Sequence, residues 1–153
     1  MTREAEQRAA VIAEARSWIG TPWRHCADVK GQAVDCAMLL VRTFVDTGVI
    51  PAFDPRPYPR TWYLHQEHER FLEWIVDHLG GVEIARDTAR PGDVLVYRIG
   101  KCFSHGTVLV DPQTVVHAFY KNGRVVLTET FDPELGSRQA RAFDIWVGRL
   151  GTS

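Results

Sequence analysis

The chain has 153 residues, 45% hydrophobic and 24% charged, with a formal net charge of -1. That length suits one domain, 1–153, around a single core, and the balanced charge lacks the basic excess that would point to a nucleic-acid partner. The longest apolar runs, such as CAMLLV, fall far short of the ~20 residues that span a bilayer, so no membrane insertion is expected.

The opening MTREAEQRAAVIAEARSWIG mixes charges of both signs into an apolar pattern. It has neither a continuous apolar core nor a small-residue cleavage site, which predicts no secretory signal and synthesis in the cytoplasm. In this stretch Val11, Ile12, Ala15, Trp18 and Ile19 recur at helical spacing behind Thr2, a candidate N-cap, until Gly20-Thr21-Pro22 stops the pattern. A loop follows to Asp35. The next helix takes Asp35 as its N-cap, carries Leu40, Val41, Phe44 and Val45 on its apolar face, and ends at Gly48. Four prolines in PAFDPRPYPR, residues 51–60, make an extended loop. Leu64, His68, Phe71, Leu72, Ile75 and Leu79 then predict a third helix, up to Gly80-Gly81.

From Val82 the texture changes to short β-branched runs: VEIA, DVLVYRI, GTVLVD, TVVHAFY, RVVLTETF and FDIWVGRL. DPQT and Asn122-Gly123 sit between runs as hairpin turns. Helices followed by an antiparallel meander predict an α+β fold, the N-terminal helices packed on one face of a C-terminal sheet.

The three cysteines, Cys26, Cys36 and Cys102, are odd in number, so at least one thiol stays unpaired. Cys36 begins the second helix, where the positive end of the backbone dipole and unpaired amides favour thiolate over thiol. This predicts an ionised sulfur at neutral pH, beside amides able to receive an oxyanion. Position alone leaves a small core residue as the alternative. His105 and His117 stand in apolar strand settings on either side of DPQT, and a hairpin there brings both imidazoles to one end of the sheet. With Cys36 they form a set of nucleophile, base and orienting group. Taken singly, His105 also reads as a surface residue at a strand end and His117 as a satisfied core histidine.

Three motifs in order, WIGTPWRHCADVKGQAVDCAMLL, RPGDVLVYRIGKCFSHGTVLV and VVHAF, resemble the NlpC-type cysteine peptidases, which cleave peptide bonds in bacterial peptidoglycan. The likeness extends over about residues 8 to 130. It implies a papain-like fold, with Cys36 as nucleophile, His105 as general base and acid, and His117 orienting His105. It also implies an acyl-enzyme, stem peptides as substrate, and the bond between D-γ-glutamate and diaminopimelate as the one cut. GTPWRHCADVKG is nearer still to stand-alone members encoded with phage tails and gene transfer agents. That implies tail or particle proteins as partners, carriage on a phage-like particle, and action in the periplasm or on the wall. The sequence departs from the family at Met38, where a glycine is usual, and at Trp23, where a tyrosine is common. These departures imply an altered substrate preference or rate, and they support a second reading, a structural or assembly component of a tail tip with little or no catalysis.

Around this set, Trp23, His25 and Ser104 are candidate substrate-binding residues, with a packing lid as the alternative for the first two. Asp35 reads as a helix cap, with capture of a substrate amine as its functional alternative. Asp93 reads as a turn residue. Trp62, Tyr63, His65 and His68 read as a helix surface or as the rim of a groove. No cofactor is expected. Cys102 and His105 have ligand-like spacing, and Cys26, Cys36 and His25 could complete a zinc site, but Cys26 and Cys36 lie farther apart than the usual knuckle of ~2–4 residues, so no metal is expected either.

Overall fold

The computed structural model describes residues 2–60 and 69–150. Helix α1 spans Arg3–Ser17; Thr2 caps it, its Oγ1 accepting from Ala5 N–H at 3.1 Å. The helix buries Val11 and Ala15 and, less expectedly, Arg8. The Arg8 guanidinium donates to Glu4 and to the carbonyl of Pro91, reaches Asp93 at 2.9 Å and Asp144 at 3.2 Å, and lies over the Trp146 ring. Both of those aspartates are almost wholly buried, so the guanidinium offsets charges that would otherwise be costly to desolvate. Asp93 is also the expected turn residue, since its Oδ2 accepts from Arg90 N–H at 2.8 Å.

The loop expected between Gly20 and Asp35 contains a two-stranded hairpin, β1 (Asp28–Val29) with β2 (Ala33–Val34). Helix α2 spans Cys36–Asp46, capped by Asp35, whose Oδ1 accepts from Met38 N–H at 2.9 Å, and the chain leaves it through Gly48 at φ 76°. Helix α3 spans Arg70–Asp77 and buries Phe71, Leu72, Trp74 and Ile75. The earlier part of the expected third helix, with Trp62, Tyr63, Leu64, His65 and His68, lies outside the described residues.

The sheet consists of β3 (Val82–Ile84), β4 (Val94–Ile99), β5 (Cys102–Asp111), β6 (Thr114–Phe119), β7 (Arg124–Glu129) and β8 (Ala140–Asp144). A short helix α4 (Pro133–Gly136) precedes β8, and α5 (Val147–Leu150) follows it. Neighbouring strands are antiparallel, in the order β3-β8-β4-β5-β6-β7. The expected meander therefore holds for β4 to β7, while β8 returns to lie between β3 and β4. The final strand is also displaced from the expected 143–150. Asp144 Oδ1 accepts from the N–H groups of Trp146 and Val147 at 2.7 and 3.0 Å, and the chain turns into α5.

Strand alternation divides the core in two. Val94, Val96, Val108, Val110 and Val116 face α1, α2 and α3, whereas Leu95, Tyr97, Leu109 and Val115 face away and pack with Leu135 of α4. Helix α2 lies so close to β5 that a Cβ at Gly106 would stand 2.5 Å from Leu40 Cδ1 and 2.8 Å from Phe71 Cζ. The glycine sets the approach of the helix, and with it the position of the residue that starts the helix.

Candidate active site

That residue is Cys36. The β5–β6 pairing runs from Asp111↔Thr114 to Val108↔Val116, and the described ladder stops there. Farther along β5, the Cys36 thiol donates to the Ser104 carbonyl at 3.7 Å, and Gly106 N–H bonds to the sulfur. The amides of Cys36 and Ala37 also turn toward the sulfur and favour its anion, as expected of a helix start. They are outweighed. Burial first, and then the negative charge of Asp35, push the Cys36 thiol from 9.0 up to about 12. The thiolate expected at neutral pH is therefore disfavoured in the resting site: the helix that supplies the amides also sets the half-buried sulfur against the sheet, and its cap places a carboxylate next to it.

His105 sits inside β5 rather than at an exposed strand end, and is only 4% exposed. Carrying the Val108↔Val116 register back towards the site sets His105 and His117 diagonally on one face, close enough for long side chains to meet. Their rings are 5.1 Å apart, with His105 Nε2 2.8 Å from His117 Nδ1. His117, 1% exposed, continues through Nε2 to Thr128 Oγ1 at 2.9 Å. The Phe119 ring packs on both imidazoles. Burial, reinforced by the charges of His117 and Arg138, holds His105 well below 6.5, and burial brings His117 down to about 4 against the pull of Asp132. Thiol and imidazoles are thus all neutral at rest. The resting site therefore holds no thiolate–imidazolium ion pair.

Trp23, His25, Asp35 and Ser104 line one cleft with Cys36 and His105, while His117 stands behind His105. Asp35 is 4% exposed and holds three protein donors: Met38 N–H at Oδ1, then Cys26 N–H at 2.7 Å and Tyr58 O–H at 2.5 Å, both at Oδ2. Ser104 meets the sulfur through its carbonyl. Trp23 makes an edge contact with Tyr120, and the Arg60 guanidinium lies 5.3 Å from its ring centre. Met38, which stands where the resembled family usually has glycine, is 1% exposed and belongs to the core beneath α2.

Tyr58, Arg60 and Thr128 join the site without having been singled out in the sequence. Tyr58 and Arg60 belong to the proline-rich stretch, which carries no periodicity. Thr128 follows from the β6–β7 register, where His117 opposes Val126 and Thr128 comes next on that face. Among the described residues, the His/Cys/Asp/Glu group close enough to share a metal is His25, Cys26 and Asp35; Cys36, Cys102 and His105 do not gather into it.

No family model and no curated protein matches the chain. Solved structures do. The P60 domain of an antigen from M. avium subspecies paratuberculosis superposes with a TM-score of 0.62 at 21% identity, covering 94% of this chain and 98% of that one. This chain has the NlpC/p60 fold. The NlpC/p60 domain of the peptidoglycan hydrolase SagA gives 0.61 at 17% identity over 90% of this chain and 97% of that domain. The peptidoglycan hydrolase RipB from Mycobacterium tuberculosis gives 0.59 at 19% identity, covering 95% of this chain and 68% of that one. The NlpC/p60 fold accounts for the helices on one face of an antiparallel sheet.

Proposed function

We propose that this chain is a cysteine peptidase that hydrolyses a peptide bond in peptidoglycan stem peptides. The observation that carries the reading is the shared cleft of Cys36 and His105, with His105 tied at 2.8 Å to His117. Solved neighbours described as peptidoglycan hydrolases support the substrate class. Because His105 Nε2 is engaged by His117, Nδ1 is the nitrogen left to take the Cys36 proton. For Nδ1 to accept, Nε2–H must donate to His117 Nδ1 and His117 Nε2–H to Thr128 Oγ1, which is one consistent assignment of the tautomers. The sulfur then attacks the amide carbonyl, and the oxyanion forms beside the first amides of α2. Collapse expels the amine, which takes the proton from His105. Water, deprotonated by the same ring, hydrolyses the thioester.

The bond cut, by resemblance to the NlpC-type peptidases, is that between D-γ-glutamate and diaminopimelate. Carriage on a phage-like particle rests on the stretch GTPWRHCADVKG and is tested by looking for the protein in purified particles. A second reading, a tail-tip component with little or no catalysis, is favoured by the neutral, half-buried thiol. Mass spectrometry of muropeptides after digestion separates the two. The wild type is expected to release fragments whose masses name the bond, and Cys36→Ala to release none at an unchanged thermal midpoint. A folded wild type that releases nothing overturns the first reading in favour of the second.

A further inference from the structure

One wall of the cleft carries chemistry that the peptidase reading does not use. His25 Nε2 lies 3.3 Å from Cys26 Sγ and 3.1 Å from the Tyr58 carbonyl oxygen, and Cys26 Sγ lies 4.0 Å from that same oxygen. A tetrahedral ion with bonds of ~2.0–2.3 Å spaces its ligands roughly 3.3–3.8 Å apart, so these three atoms stand within a few tenths of an ångström of the spacing zinc requires. We propose that His25 Nε2, Cys26 Sγ and the Tyr58 carbonyl oxygen form a binding site for a thiophilic divalent cation such as zinc, with solvent as the fourth ligand.

The backbone supports this assignment. Cys26 has φ 61°, a left-handed conformation that a non-glycine residue adopts at a cost. It is clamped there from both sides, its N–H donating to Asp35 Oδ2 at 2.7 Å and its carbonyl accepting from Arg56 Nη1 at 3.1 Å. That conformation brings the sulfur beside the ring of the preceding residue. Asp35 Oδ2 is 3.9 Å from His25 Nδ1, on the side of the ring away from the ligating nitrogen, too far for a hydrogen bond but near enough for its charge to favour a proton on Nδ1 and leave Nε2 free to ligate. Neither His25 nor Cys26 is sealed in the core, so an ion can reach them from the cleft. Binding displaces the Cys26 thiol proton, giving a thiolate ligand and one released proton. An ion held here would bridge the 22–26 loop to the Tyr58 segment across the mouth of the cleft.

The test is titration of the full chain with Zn2+ against a chromophoric chelator, and with Co2+ while following thiolate-to-cobalt charge-transfer absorption. Wild type and Cys36→Ser are expected to bind one equivalent and to show the sulfur band. Cys26→Ser should lose the band and bind about tenfold or more weakly, and His25→Ala should weaken binding by a comparable factor even if one of the two variants folds poorly. The proposal is overturned if the wild type shows no sulfur band, if the band persists in Cys26→Ser, or if Cys36→Ser loses it. The readout is independent of the proposed peptidase activity.

Discussion

Iodoacetamide reacts with thiolates, so its rate at Cys36 measures how much anion the resting site holds. Raising a thiol from 9.0 to about 12 lowers the thiolate fraction at pH 7 about a thousandfold. The more basic sulfur is intrinsically more nucleophilic, with a Brønsted coefficient of about 0.4–0.5, which returns about 15- to 30-fold. The net expectation is alkylation roughly 30- to 60-fold slower than that of a small-molecule thiol titrating at 9.0, rising tenfold per pH unit through the neutral range. Asp35→Asn keeps a side chain suited to capping α2 but removes the second cause of the upward displacement, so its Cys36 should react faster than that of the wild type. The assay is quantitative mass spectrometry of the Cys36 peptide over time at several pH values. If Cys36 is modified at pH 6 faster than the small-molecule thiol, the site stores a thiolate and the neutral-pair description is wrong.

Two further expectations concern the histidines. Thr128→Val removes the hydroxyl 2.9 Å from His117 Nε2 and leaves a buried ring nitrogen without its partner, costing about 1–3 kcal/mol of stability, and by freeing the tautomer it should lower kcat/KM for muropeptide hydrolysis and displace its pH profile. Thr128→Ser should restore both, and equal losses in the two variants would contradict the tautomer-fixing role. The second expectation is acid sensitivity. His117 titrates near 4 in the fold against 6.5 when unfolded, so below 6.5 the unfolded chain binds more protons and stability falls with pH, by about 3 kcal/mol once pH has passed 4. Denaturant melts from pH 7 to pH 4 should show this loss, and a slope unchanged by His117→Asn would refute its assignment to that ring.

The parts of the site that could be read from the sequence are those governed by local rules. Asp35 caps α2 because a short acceptor at that place satisfies an orphan amide, and Cys36 follows as the helix start. His105 and His117 meet because a hairpin turn and two-residue alternation together define a diagonal. The return of β8 between β3 and β4 is a long-range pairing that no local pattern reports, and the turn into α5 depends on a side chain, Asp144, that alternation alone reads as strand. The ionisation of Cys36 escaped for a different reason. The amides that favour the anion are properties of the helix end, whereas the burial that defeats them depends on how closely α2 seats on β5.

That seating gives one hydrogen atom a large part in the geometry of the cleft. With no side chain at position 106, strand and helix meet without a spacer, and the depth at which the sulfur rests follows from the contact of Leu40 and Phe71 with bare backbone. A change in the size of Leu40 or Phe71 would therefore be felt at the start of α2, so the interior of this protein cannot drift without altering the setting of Cys36.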